Sequence, residues 1–70
     1  MEILKINGVE KKFAAGQMPQ TVSELLEQLR IEAATVVAEV DGLIVEREKF
    51  AHTKLSKGQS IELVRFVPGG

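Results

Sequence analysis

Asn7-Gly8 lies between two short apolar, β-prone runs, Met1–Ile6 and Val9–Phe13, and no other feature constrains the fold of this chain as strongly. A two-residue hairpin turn needs positive φ at both central positions, which Asn followed by Gly tolerates best. Residues 1–13 are therefore predicted to open the fold as a β-hairpin. In its first strand Leu4 and Ile6 share one face, and Met1 and Ile3 the other. Leu4 and Ile6 are assigned inward, because the opposite choice conflicts with Lys5.

Ala14–Gln20 carries Gly16 and Pro19 and reads as a loop. A helix follows. Thr21 stands at the N-cap position and Glu24 three residues later, the spacing of a capping box. Val22, Leu25, Leu26 and Leu29 recur at helical spacing as one apolar stripe, with Glu24, Glu27, Gln28 and Arg30 on the other side. No glycine marks its end, and the helix is expected to stop near Arg30 or Ile31. The β-branched run Thr35–Val40 is predicted as a strand, Asp41-Gly42 as a second tight turn, and Leu43–Val45 as a short strand. Glu46–Lys57 is polar and irregular, with Phe50 and Leu55 as anchors into the core. Lys57-Gly58 turns the chain into a last strand, Ser60–Val67, where Ile61, Leu63 and Arg65 alternate with Glu62, Val64 and Phe66. Pro68 lacks a backbone N–H, so regular pairing is expected to stop there.

The order β-β-α-β-β-β points to an α+β fold, with one helix on one mixed sheet of four to five strands. With the first and last strands side by side in the centre and the helix across one face, this is the β-grasp, or ubiquitin-like, arrangement. Residues 1–67 are expected to form the domain and residues 68–70 a flexible tail.

Composition narrows the function. The 70 residues support one domain, which at this size buries only about 60% of the surface its unfolded chain exposes. A net charge of −1 with both signs interspersed argues against a nucleic-acid partner, which favours a basic stripe. No apolar run approaches the ~20 residues of a membrane span, and the N-terminus does not read as a secretory signal. The cytoplasm is the expected compartment and a monomer the expected free state. The chain has no cysteine, which excludes a disulfide framework, a thiolate nucleophile and a cysteine persulfide.

The ending Pro68-Gly69-Gly70 is the strongest functional signal. Two residues without Cβ atoms accept strained backbone and pass into a narrow active site. A carboxylate at Gly70 is a poor electrophile. Adenylation converts it into an acyl-phosphate anhydride, and a sulfur nucleophile displacing AMP leaves a thiocarboxylate. The bland alternative is a frayed end with no role. Gly70 is thus the candidate for adenylation and thiocarboxylate formation, with Gly69 and Pro68 for tail insertion.

Other candidates are weaker. His52 is the single histidine and has no second ligand at metal-binding spacing, so no metal site is expected. No nucleophile–base pair or phosphate-cradling glycine loop is visible, so no catalytic residue is assigned. Glu46-Arg47-Glu48-Lys49 reads as a solvated loop, with Arg47 a candidate partner contact. If Ile61 and Leu63 face the helix, alternation places Val64 and Phe66 on the open face of the sheet. There Phe66 is either a partner contact near the tail or a cover over the end of a small core.

The whole chain resembles the ThiS family, the sulfur carrier proteins of thiamine biosynthesis. The resemblance runs from the strand ending in Asn7-Gly8 through Thr21-Val22-Ser23-Glu24-Leu25-Leu26, Val36–Gly42 and Ile44–Arg47. It continues through Leu55–Val64 to Val67-Pro68-Gly69-Gly70. It is the order and spacing of these segments, with the terminal Gly-Gly, that is specific. Val45-Glu46-Arg47 and Gly58-Gln59 depart from the Val-Pro-Arg and Gly-Asp that members often carry, and both lie at turns. The resemblance implies a protein cosubstrate, not an enzyme. A ThiF/MoeB-like adenylating enzyme, using its own ATP and magnesium, would activate Gly70. Sulfur from a cysteine desulfurase would then yield the thiocarboxylate, and a ThiG-like thiazole synthase would accept it. This chain itself is expected to bind no cofactor. The alternatives are a molybdopterin-type carrier of the MoaD kind, a ubiquitin-like protein modifier, and a plain β-grasp binding module.

Overall fold

The structure, a computed structural model, describes residues 1–67. The opening hairpin is present. Strands β1 (Glu2–Ile6) and β2 (Val9–Phe13) pair antiparallel with Ile6 opposite Val9. Asn7 and Gly8 between them take φ of 50° and 81°. Leu4 is fully buried and Ile6 packs against the same core, so the inward face of β1 is the expected one.

Helix α1 (Val22–Leu29) begins at the predicted cap. The Glu24 N–H donates to Thr21 Oγ1 at 3.1 Å. The reciprocal arm reaches one residue further back than a regular capping box, with Gln20 N–H donating to Glu24 Oε1 at 3.2 Å. The other free N–H groups of the first turn are taken by the segment after β4 (Leu43–Val45): Val22 donates to the Thr53 carbonyl and Ser23 to that of Phe50. Phe50 and Leu55 are both buried as predicted, and the irregular stretch between them is thereby tied to the start of the helix. At the other end Arg30 takes the left-handed conformation, φ 58°. Ile31 N–H donates to the Leu26 carbonyl and Arg30 N–H to that of Glu27, the bonding pattern of a Schellman stop, with Ile31 packed against the core. The helix therefore stops where expected, with arginine in a position usually held by glycine.

The remaining strands, β3 (Val36–Val40), β4 and β5 (Ser60–Arg65), complete a five-stranded sheet in the order β2-β1-β5-β3-β4. β1 and β5 run parallel, and every other neighbouring pair is antiparallel. The helix covers one face through Val22, Leu25 and Leu26, which meet Leu4, Ala38, Ile61 and Leu63. This is the expected β-grasp, with the first and last strands together in the middle.

Both Asx-Gly turns serve the sheet as well as reversing the chain. In a regular parallel ladder the Leu63 N–H would pair with the Asn7 carbonyl, but at Asn7 the chain is already turning. Asn7 Oδ1 accepts that N–H instead, at 2.7 Å. Asp41 (φ 51°) does the same for the β3 side of β5: its N–H donates to the Ser60 carbonyl, and its Oδ1 accepts the Ser60 N–H at 2.9 Å. Gln59, one of the departures from the family pattern, donates to Asp41 Oδ2 and accepts the Ser56 N–H. Its side chain thus closes the turn that leads into β5.

Two boundaries differ from the sequence reading. β3 starts at Val36, because Thr35 belongs to a 3-10 turn, Ala33–Thr35, in which both its N–H and its hydroxyl donate to the Glu32 carbonyl. For the same reason β5 ends at Arg65 and not at Val67: its partner strand has begun to turn away. Arg65 has the parity of Ile61 and Leu63 but is exposed, beyond the cover of the helix.

Candidate functional site

The alternation of β5 decides what the uncovered face of the sheet presents. Ile61 and Leu63 point to the helix, leaving Glu62 and Val64 on the other side. The register puts Val64 directly opposite Val37 of β3, and Glu62 opposite Glu39. On the far side of β3, Glu39 is opposite Ile44 of β4. One rung past the end of β5, the Phe66 N–H still donates to the Thr35 carbonyl at 2.8 Å. This bond carries the alternation forward and sets Phe66 on the same face as Val64.

Phe66 is 47% exposed and lies outside the buried core cluster. It lines a shallow groove with Val37, Ile44 and Arg47. Arg47 arrives there because β4 runs straight into a second 3-10 turn, Arg47–Lys49. Val64 is 59% exposed and continues the apolar surface across β5 through its pairing with Val37. The three partner-contact candidates from the sequence thus sit at one end of the open face. Pro68, Gly69 and Gly70 lie outside the described residues. Val67 is the last described residue, exposed and beside Phe66, Thr35 and Arg65.

Val37 and Ile44 complete the patch and were not foreseen. Alternation in β3 does mark Val37 as outward once Val36 and Ala38 are inward. Nothing local marks Ile44, since Leu43-Ile44-Val45 is apolar throughout and only its pairing with Glu39 assigns a face.

The patch is an exposed, mainly apolar surface. Among the described residues, no three His, Asp or Glu side chains group to hold a metal, and no helix is long and apolar enough to cross a membrane. No charged or polar side chain is buried among them.

Comparison with known proteins agrees with this fold. The ThiS family model matches residues 4–70. A crystal structure of a thiamine biosynthesis protein (ThiS) from Geobacter metallireducens superposes with a TM-score of 0.79 at 33% identity, covering 97% of this chain and 99% of that one. A solution structure of a thiamine biosynthesis protein from the same organism gives a TM-score of 0.77 at 34% identity, covering 100% of this chain and 88% of that one. Among curated proteins, a thiazole synthase of Paramagnetospirillum magneticum is 34% identical over 67 residues. The match takes in 96% of this chain, which spans about a fifth (20%) of that protein's length.

Proposed function

The chain belongs to the ThiS family, and from this we propose that it is a sulfur carrier for thiazole formation in thiamine biosynthesis, working through Gly70. The observation that carries the proposal is the join between an apolar docking patch and the Gly-Gly sequence that follows it. Val64 and Phe66 stand on the open face within the last rungs of the sheet, and Val67 leads on to Pro68-Gly69-Gly70. A partner that seats on the patch is only a few residues of chain from Gly70. Such positioning turns an encounter with a carboxylate into an effectively intramolecular reaction.

The chemistry is that of an activated carboxylate. A Gly70 carboxylate oxygen attacks the α-phosphorus of ATP in the adenylating enzyme, and pyrophosphate leaves. A persulfide sulfur charged by a cysteine desulfurase attacks the acyl carbon and AMP leaves, giving an acyl disulfide. A second thiol, from the sulfur-delivering protein or a thiol reductant, attacks the outer sulfur of that bond, forming a disulfide and releasing the Gly70 thiocarboxylate. The ATP and magnesium belong to the activating enzyme, and the chain serves as its cosubstrate. Val64, Phe66 and Arg47 contact the partner, while Pro68 and Gly69 thread the tail. Thiazole synthase is the proposed acceptor. The Paramagnetospirillum thiazole synthase, which contains a stretch similar to this chain within a protein five times as long, supports that pairing.

The test is adenylation itself. With a matched adenylating enzyme, ATP–pyrophosphate exchange should depend on the chain and vanish when Gly70 is removed. Exchange that persists without Gly70 removes the tail from the mechanism.

A further inference from the structure

The open face is not uniform in charge. On the β1–β2 side, Lys5 is directly opposite Glu10, a complementary pair. On the β3–β5 side, Glu39 is directly opposite Glu62. Directly opposed residues have Cβ atoms about 5 Å apart, and like charges so placed destabilise a sheet. The acidic pair adjoins the apolar patch: Val37 and Val64 lie two residues along the same two strands and on the same face, and Ile44 is opposite Glu39 on β4. Glu39 is half-buried and Glu62 exposed. The docking surface thus has an apolar centre, Arg47 at one end and two facing carboxylates at the other.

We infer that Glu39 and Glu62 together receive one basic side chain, most suitably an arginine, of the adenylating enzyme that docks on Val37, Ile44, Val64 and Phe66. This deepens the proposed function and rests on it. A guanidinium is planar, remains charged, and offers several N–H donors in a fork that two adjacent carboxylates can share. Bound between Glu39 and Glu62 it neutralises two carboxylates that face each other across the strands. Apolar contact supplies the buried area, while the paired carboxylates select a partner with a cation beside its apolar knob and speed encounter with it. Lys5, opposite Glu10 on β2 and Ser60 on β5, is the diagonal neighbour of Glu62 on this face and bounds the acidic pair on the β1 side.

The experiment uses the full chain with its adenylating enzyme and reads ATP–pyrophosphate exchange against carrier concentration, alongside thermal unfolding. Glu39→Gln and Glu62→Gln are each expected to raise KM roughly tenfold or more, the loss falling mainly in KM. Melting should be unchanged or raised by roughly 1–8 °C through relief of the repulsion. Glu10→Gln is the control on the same face and should leave KM as it is. Wild-type KM should rise with ionic strength more steeply than that of either variant. An unchanged KM in both variants, with wild-type adenylation intact, overturns the arginine contact and leaves the carrier reading standing. A parallel fall in melting temperature and affinity also overturns it, since the pair then acts through the fold. Failure of the wild type to be adenylated removes the carrier reading, and this inference with it.

Discussion

Asn7 offers the sharpest test of how the sheet is held. Its side chain accepts the N–H of Leu63, a core residue of the central strand, at 2.7 Å, and its backbone sits at φ 50°. Asn7→Ala removes both qualities. An N–H left without its partner costs about 1–3 kcal/mol. Alanine in a left-handed conformation costs roughly 1–2 kcal/mol, which asparagine offsets in part by local hydrogen bonding. Together the loss should be about 2–4 kcal/mol. A domain of this length has a total stability of about 3.5–10 kcal/mol, so a large share is at stake. The two contributions separate with further variants. Asn7→Asp keeps the acceptor and the turn preference and should stay within about 0.5 kcal/mol of wild type. Asn7→Gly relieves the backbone but loses the bond, and should fall between aspartate and alanine. The chain has no tryptophan or tyrosine, so urea unfolding is best followed by far-ultraviolet circular dichroism. With a slope of about 1 kcal/mol/M, the Asn7→Ala midpoint should drop by about 2 M or more. An Asn7→Ala midpoint equal to wild type, or an aspartate variant as unstable as the alanine one, would refute the bridging role.

Arg30→Gly should stabilise the fold by about 0.5–1 kcal/mol in the same assay. It removes about 1–2 kcal/mol of left-handed strain and adds about 0.4–1 kcal/mol of unfolded-state entropy; a less stable variant contradicts the Schellman reading. Leu25→Ala removes a fully buried side chain from the helix stripe and should cost about 2–5 kcal/mol, enough to leave much of the population unfolded by dichroism. Phe66→Ala, at an exposed position, should change stability by less than about 0.5 kcal/mol yet raise the carrier KM in adenylation. Undiminished adenylation at unchanged fold removes Phe66 from the interface.

Much of this was legible because the decisive signals are local. Asn7-Gly8 and Asp41-Gly42 demand positive φ whatever surrounds them, and Thr21 with Glu24 specifies a helix start within four residues. Phe50 and Leu55 stood out as apolar residues in a polar stretch. What escaped depends on pairing. Thr35 has strand propensity, yet its hydroxyl and N–H find Glu32 in a tight turn, and β5 loses its partner two residues early as a result. Arg30 holds the position usually taken by glycine, where two backbone bonds and the packing of Ile31 against the core offset its strain. The candidate site was legible in part. Parity along β5 put Val64 and Phe66 outward, but that Arg47 and Ile44 meet them follows from the register of β3 with β4, which no local pattern encodes. The second role of Asn7 and Asp41, as acceptors for β5, likewise joins residues far apart in sequence.

The central claim is that Gly70 carries sulfur, and the intact mass of the chain tests it most directly. The chain is incubated with its adenylating enzyme, ATP, magnesium, a cysteine desulfurase, cysteine and a thiol reductant, which is then removed before treatment with a thiol-alkylating reagent. The absence of cysteine from the sequence gives a clean background. The account predicts a mass gain equal to sulfur replacing one oxygen, a single alkylation, and loss of both when Gly70 is removed. An unchanged mass beside demonstrable adenylation, or an alkylated product that survives removal of Gly70, would contradict it.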